Sequence, residues 1–163
     1  MIYSENSINT WQKTIPKEWI DYNNHLTEGF YGVAFAEASD ELLIHLGFTQ
    51  EYRNKHGTFY TVETQIRFLK EVHEGATIST ITWLLGLDEK RLHIYHHLLI
   101  KNDPEPVATQ EALLVHVIHS KQKHGPEVAP IVEPILSNAK NLISTHNLSE
   151  LPEHIGQGVK NLN

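Results

Sequence analysis

Cysteine is absent from this 163-residue chain, which excludes a disulfide framework, a thiol nucleophile and cysteine-ligated zinc. Basic side chains are also in the minority, because 13 Lys and Arg face 20 Asp and Glu, and the formal net charge is −7. Nucleic acid and anionic lipid both require a positively charged protein surface, so neither is expected as a partner.

Long apolar runs are missing as well. No stretch approaches the roughly 18 residues that a membrane span requires, and residues 1–10 are polar, without the apolar centre of a signal peptide. The remaining composition, 40% apolar and 20% charged, is typical of one globular domain. We therefore expect a cytoplasmic protein that makes no membrane contact.

Three motifs that mark large enzyme classes do not occur. The chain lacks a Gly-x-Ser-x-Gly elbow, so Ser-His-Asp catalysis is not supported. It also lacks the phosphate loop Gly-x-x-x-x-Gly-Lys and the dinucleotide loop Gly-x-Gly-x-x-Gly, which argues against kinases, ATPases and Rossmann dehydrogenases. No cofactor is expected.

The pattern of apolar residues changes once along the chain. A helical spacing of three and four runs from Thr27 to Leu46 and stops at Gly47. Residues 48–57 are predicted to be a polar loop. Strands are predicted on both sides of this region: Trp11–Ile15 before the helix, and Tyr60–Phe68, Ala76–Leu87, Arg91–Ile100 and Val107–Ile118 after it.

The four later strands follow one another through short turns, which predicts an antiparallel meander. One helix covers one face of such a sheet, so a homodimer is expected to protect the rest. The predicted domain spans residues 1–125. Residues 126–163 form an extension, with a short helix over Ile135–Ile143 and an irregular tail from Leu151 to Asn163.

The densest polar cluster, Asp21-Tyr22-Asn23-Asn24-His25, lies just before the long helix. A helix start offers unpaired N–H donors and partial positive charge, which can stabilise a developing oxyanion. Asp21 beside the N–H groups of Thr27 and Glu28 is therefore a candidate acyl-transfer site, with His25 as an orienting group. The alternative is that these residues only cap the helix and close a turn.

Glu63 is predicted in mid-strand, on the same face as Thr61, Gln65 and Arg67. It is either a second catalytic carboxylate or a solvated residue paired with Arg67. Tyr60 offers an aromatic face that suits an apolar acyl group or a quaternary ammonium, or one that packs in the core or an interface.

Histidine is frequent, with 12 residues, yet no metal site is expected. His93 and His97 would stand about 13 Å apart along a strand, and His96 would point to the opposite face. His116 and His119 also fall on opposite faces. One ion cannot bind side chains so placed, since zinc needs each nitrogen at about 2.1 Å.

The run Ile20-Asp21-Tyr22-Asn23-Asn24-His25-Leu26-Thr27-Glu28, closing at Tyr31, resembles the Asp-x-x-Gly/Asn-His-x-Asn…Tyr signature of hotdog-fold acyl-CoA thioesterases of the 4-hydroxybenzoyl-CoA thioesterase type. The resemblance covers residues 10–120. It implies an α+β hotdog fold, in which a long central helix is wrapped by an antiparallel five-stranded sheet. Asn24 stands where the family often has glycine, and Thr27 where it often has asparagine.

Three further stretches, residues 60–69, 88–93 and 108–116, resemble the subgroup associated with carnitine breakdown, which hydrolyses betainyl-CoA. The resemblance implies an acyl-CoA substrate and a homodimer or tetramer with active sites between subunits. It makes Asp21 the catalytic carboxylate and places the oxyanion donor at the N–H of Glu28. Glu63 matches the strand pattern of the subgroup, and we infer from its position that it is a second catalytic residue that meets Asp21 across a dimer.

Substrate contacts are expected from Asn24, His25, Tyr31 and Tyr60. The alternatives are a hotdog module that binds acyl-CoA without turnover, and a thioester dehydratase or hydratase that would use His25.

Overall fold

The structure is a computed structural model that describes residues 7–119, 125–146 and 152–159. Its main feature is a long helix packed against one curled antiparallel sheet. The strands are β1 (Ile8–Thr14), β2 (Thr58–Phe68), β3 (Thr77–Leu87), β4 (Arg91–Ile100), β5 (Pro106–His119) and β6 (Pro126–Val128). The helices are α1 (Glu28–His45), α2 (Gln50–His56) and α3 (Ile135–Thr145), preceded by a 3-10 turn over Lys17–Trp19.

The central helix α1 confirms the predicted helix to within one residue at each end. Thr27, in extended backbone, precedes it, and Gly47 follows it with φ +104°, a conformation that glycine adopts without strain. Two of its small residues, Ala34 and Ala38, are fully buried against the sheet side, together with Phe35 and Leu42. Small side chains let the helix axis approach the sheet closely.

The strand order is β1-β3-β4-β5-β2, with the short β6 paired to the free end of β5. The predicted meander is therefore wrong at its first step, because β2 pairs with β5 and not with β3. A turn does occur at Gly75 (φ +77°). Residues 69–76, however, form a crossover from Leu69, whose N–H donates to Val107 O, to Ala76, whose carbonyl accepts from Ile15 N–H.

The predicted loop over residues 48–57 is also wrong, because it contains α2. The Thr49 hydroxyl caps this helix by accepting from Tyr52 N–H at 3.1 Å. Tyr52 is buried, with its hydroxyl 3.2 Å from Nε2 of His116. A single apolar anchor in seven residues is too short a pattern for periodicity to detect.

A β-bulge in β2 changes which side chains share a face. Thr61 pairs with Leu114 and Glu63 pairs with Leu113, so Val62 is an extra residue. Directly paired residues point to the same side of a sheet. Thr61 therefore lies on the α1 side and Glu63 on the outer side, which corrects the prediction that they share a face.

Two of the strand histidines, His96 and His97, serve as neutral packing groups. His96 is fully buried between the Ser39 hydroxyl, 3.0 Å from Nε2, and the Thr82 hydroxyl, 2.7 Å from Nδ1. His97 packs against the rings of Trp83 and Tyr95 on the opposite face. Burial lowers the pKa of His96 to about 3 and that of His97 to about 4.

The C-terminal part packs on the same sheet. Ile135 and Ala139 of α3 are fully buried in the core that α1 and the sheet share. The segment 152–159 lies on the outer face, where both carboxylate oxygens of Glu111 accept from Gly156 N–H. Leu151 and residues 160–163 of the predicted tail lie outside the described residues, and the boundary at residue 125 stays a prediction.

Candidate active site

The loop that leads into α1 is a closed turn. Ile20 and Leu26 form a β-bridge, the Asp21 N–H donates to His25 O at 2.9 Å, and the Asn24 N–H donates to Asp21 O at 3.0 Å. Asn24 has φ +61°, in the left-handed region that asparagine tolerates best after glycine. The geometry thus explains why asparagine stands at this position of the motif.

The Asp21 carboxylate holds this turn with one oxygen only. Oδ1 accepts from Asn23 N–H at 2.8 Å and from His25 N–H at 3.3 Å. Among the described residues, Oδ2 has no hydrogen-bond partner. Asp21 therefore closes the turn, as the structural alternative predicted, and still presents a free carboxylate oxygen.

The first turn of α1 leaves N–H donors unpaired. Thr27 precedes the helix with φ −62° and ψ 139°, and its side chain makes no capping hydrogen bond. Within the described part of the chain, the N–H groups of Glu28 and Gly29 have no acceptor, while Phe30 N–H bonds to Thr27 O. A Cβ at Gly29 would meet nothing within 4 Å. The positive end of α1 is thus open to a ligand oxygen.

A surface cavity of about 400 Å³ brings four predicted site residues together. Asp21, His25, Glu28 and Tyr31 line it. Tyr31 is buried, and its pKa is raised first by that burial and then by the negative charges of Glu71 and Asp21. Asn24 contributes to the loop, but its exposed side chain is not part of the lining.

Glu63 and Tyr60 lie elsewhere in the chain. Glu63 lines a second cavity of about 420 Å³ on the outer face, with Gln65, His93 and Glu111 among its neighbours. The Tyr60 hydroxyl is 2.9 Å from Nε2 of His119. Within one chain, the sheet separates both residues from the Asp21 side.

Sequence reasoning missed the opposite wall of the Asp21 cavity. This wall contains Phe68, Leu69, Lys70 and Glu71, from the end of β2 and the crossover. The Phe68 ring meets the Tyr31 ring edge-on, with centroids 5.0 Å apart. No local pattern places residues 68–71 against residue 21, because their proximity depends on the non-adjacent pairing of β2.

A long helix held in a curled antiparallel sheet is the architecture of the hotdog-fold thioesterases. The family model described as the Thioesterase-like superfamily matches residues 15–158, and the chain belongs to this family. The predicted fold class and the predicted thioester hydrolase are thereby confirmed.

The names of two curated relatives include betainyl-CoA thioesterase, in one case alone and in the other together with L-carnitine dehydrogenase. Betainyl-CoA thioesterase of Pseudomonas aeruginosa is 36% identical over 151 residues, which cover 92% of each chain. The L-carnitine dehydrogenase/betainyl-CoA thioesterase of Agrobacterium fabrum is 42% identical over 142 residues, which cover 87% of this chain and 28% of that protein.

Solved structures support the fold. A candidate thioesterase from Pseudomonas putida shares 29% identity and a TM-score of 0.80, over 95% of this chain and 97% of that chain. A mutant 4-hydroxybenzoyl-CoA thioesterase solved with 4-hydroxybenzoyl-CoA has a TM-score of 0.72 at 12% identity, over 82% and 99% of the two chains. None of the helices in the described ranges has the length and apolar character to cross a membrane. The cytoplasmic location stays a prediction.

Proposed function

We propose that this protein hydrolyses an acyl-CoA thioester to a free acid and CoA, with Asp21 as the catalytic carboxylate. The observation that carries the proposal is that Asp21 and the start of α1 share a cavity, and that neither Asp21 Oδ2 nor the N–H groups of Glu28 and Gly29 have a partner among the described residues. Donors of this kind bind the oxyanion that forms when a thioester carbonyl is attacked.

Two routes use this geometry. In one, Asp21 attacks the carbonyl carbon, the C–S bond breaks, and water then hydrolyses the resulting anhydride. In the other, Asp21 removes a proton from a water molecule that attacks the same carbon. In both routes the carbonyl oxygen is held at the start of α1, and the CoA sulfur leaves as a thiolate that takes up a proton.

We infer that the acyl group is a small cation, with betainyl as the specific candidate. The cavity has three carboxylates, from Asp21, Glu28 and Glu71. Its lysine, Lys70, is paired with Asp103 at 3.4 Å. The aromatic residues Tyr31 and Phe68 also line the cavity, and aromatic rings attract a quaternary ammonium. The names of two relatives support the same substrate.

A neutral isostere provides a sharp test of this inference. The 3,3-dimethylbutanoyl group has the shape of the betainyl group but no charge. We expect kcat/KM for betainyl-CoA to exceed that for 3,3-dimethylbutanoyl-CoA by about tenfold or more, since cation–π and charge contacts contribute about 1–2 kcal/mol. Glu71→Gln should reduce this ratio.

Glu74→Gln, which changes an exposed carboxylate outside the cavity, serves as the matched control and should leave the ratio unchanged. Equal rates for the two esters would reject the cationic substrate. Binding of both esters without turnover would instead identify a non-catalytic acyl-CoA module.

We propose that the protein is at least a homodimer through β2. This strand is an edge of the sheet, and Val62 and Leu69, in and just after it, are more than half exposed. Unpaired edges with apolar side chains are aggregation-prone unless a partner covers them. Within its own chain, Glu63 faces away from Asp21. In such a dimer, Glu63 would face the partner subunit.

Mixed dimers test whether Glu63 and Asp21 act together across subunits. We expect Asp21→Asn and Glu63→Gln each to be inactive as homodimers. If the two variants are co-expressed with different tags, the isolated mixed dimer contains one site with both residues intact, and it should recover about half of the wild-type activity.

If Asp21 acts with Glu63 of the same chain, both sites of the mixed dimer should be inactive, because each chain lacks one of these two residues. A fully active Glu63→Gln homodimer would show that Glu63 is not catalytic. Failure to isolate any mixed dimer would contradict the proposed assembly.

A further inference from the structure

A second group of side chains lies at the mouth of the Asp21 cavity. His25, Glu71 and His73 each offer one ligand atom, and these three atoms lie within 4.8 Å of one another. His25 comes from the loop before α1, whereas Glu71 and His73 come from the crossover. Two imidazoles and one carboxylate are a donor set that zinc and similar divalent transition metals bind.

A backbone hydrogen bond holds the two contributing segments together. Leu26 N–H donates to Val72 O at 2.7 Å, and Val72 is fully buried between the two ligand residues of the crossover. The positions of residues 25, 71 and 73 are therefore fixed by the packing of the fold, and a ligand needs only side-chain rotations to bind all three.

The second ring nitrogen of His73 is oriented as in metal sites. Its Nδ1 lies 3.0 Å from the Asn24 carbonyl oxygen. Since a carbonyl only accepts, Nδ1 is the donor, and in the neutral tautomer Nε2 keeps its lone pair for a metal. Histidines that bind metals usually donate their other N–H to a carbonyl or carboxylate in this way. The left-handed backbone conformation of Asn24 sets the direction of that carbonyl group.

The other two ligands are available. In the described ranges, neither the His25 ring nor the Glu71 carboxylate has a hydrogen-bond or ion-pair partner. The His25 and His73 rings meet edge-on, with centroids 5.1 Å apart. A free carboxylate beside two histidines is the arrangement that a divalent cation would stabilise.

We propose that His25, Glu71 and His73 form a binding site for a divalent transition metal of the zinc class, which inhibits the enzyme when occupied. His25 and Glu71 line the same cavity as Asp21. A bound dication there would neutralise the carboxylate that attracts a cationic acyl group and would repel that group. The inhibitory effect rests on the proposed function, whereas the binding does not.

Isothermal titration with ZnCl₂ measures the binding directly. We expect one zinc per chain, and an affinity that falls by about tenfold or more in His73→Ala and in Glu71→Gln. His45→Ala removes an exposed histidine at the other end of α1 and should bind zinc as the wild type does. MgCl₂ should give no signal, because magnesium prefers oxygen ligands.

Absence of zinc binding overturns the proposal, and so does an affinity that His73→Ala and Glu71→Gln leave unchanged. Circular dichroism checks that both variants are folded, and Glu71→Gln keeps the side-chain volume. Thioester hydrolysis with and without zinc tests the second part. Zinc should lower the rate of the wild type, and the ratio of the two rates should be near one in His73→Ala. Bound zinc that leaves the wild-type rate unchanged overturns the inhibition.

Discussion

Replacing Asp21 by Asn is expected to lower kcat by about 10²–10⁴-fold, the usual contribution of a positioned acid or base. The amide oxygen of asparagine can still accept from the N–H groups of Asn23 and His25, as Asp21 Oδ1 does. The turn should therefore persist, and the free energy of unfolding should change by no more than about 1 kcal/mol. Steady-state kinetics and urea denaturation measure the two effects separately.

Glu133 offers a matched control for this substitution. Its carboxylate also accepts from a backbone N–H, that of Ser137 at 3.1 Å, and it lines neither the Asp21 cavity nor the cavity of Glu63. Glu133→Gln should therefore retain activity. An Asp21→Asn enzyme with near wild-type kcat would show that Asp21 only closes its turn.

Replacing Glu28 by Pro should lower kcat by about 10²–10³-fold, the cost of losing one oxyanion donor. Glu28 is the first residue of α1, where proline is well tolerated because the N–H has no partner within the helix. Thr27 already has φ −62° and ψ 139°, which suits a residue that precedes proline. The substitution thus removes a single backbone donor and keeps the helix.

Glu28→Ala is the matched control, because it removes the same carboxylate and keeps the N–H. Its kcat should exceed that of Glu28→Pro by about tenfold or more, and circular dichroism should give equal helix content for the two variants. Equal kcat values would assign any loss to the side chain and would exclude the Glu28 N–H as an oxyanion donor.

The parts of the fold that follow local rules could be predicted from the sequence. The spacing from Thr27 to Leu46 and the stop at Gly47 defined α1, because helix period and termination are local properties. Asp21 and Glu28 could be proposed as site residues for the same reason, since a polar cluster before an apolar helix places its side chains near the N–H donors.

The parts that depend on pairing could not be predicted. Turn residues at Glu74-Gly75 mark a reversal of the chain but do not say which strands pair, so the crossover was missed. Only this crossover brings Phe68 and Glu71 close to Asp21. The bulge at Val62 likewise has no signal in the alternation of β2, and it moves Glu63 to the face opposite Thr61.

The histidines also show that spacing describes residues within one strand but not contacts between distant segments. Spacing excluded a shared metal site for His93, His96 and His97, and the structure places His93 and His96 on opposite faces of β4. The cluster of His25 and His73 combines residues 48 positions apart in the sequence, and only the contact of the crossover with the loop before α1 brings them together.

The account depends most on the thioester carbonyl being bound at the start of α1, and a crystal structure of Asp21→Asn with betainyl-CoA tests this directly. We predict the carbonyl oxygen about 2.7–3.1 Å from the backbone nitrogen of Glu28 or Gly29, with residue 21 facing the carbonyl carbon. An acyl group bound instead on the outer face of the sheet, in the cavity of Glu63 and Glu111 in the same chain, would contradict it.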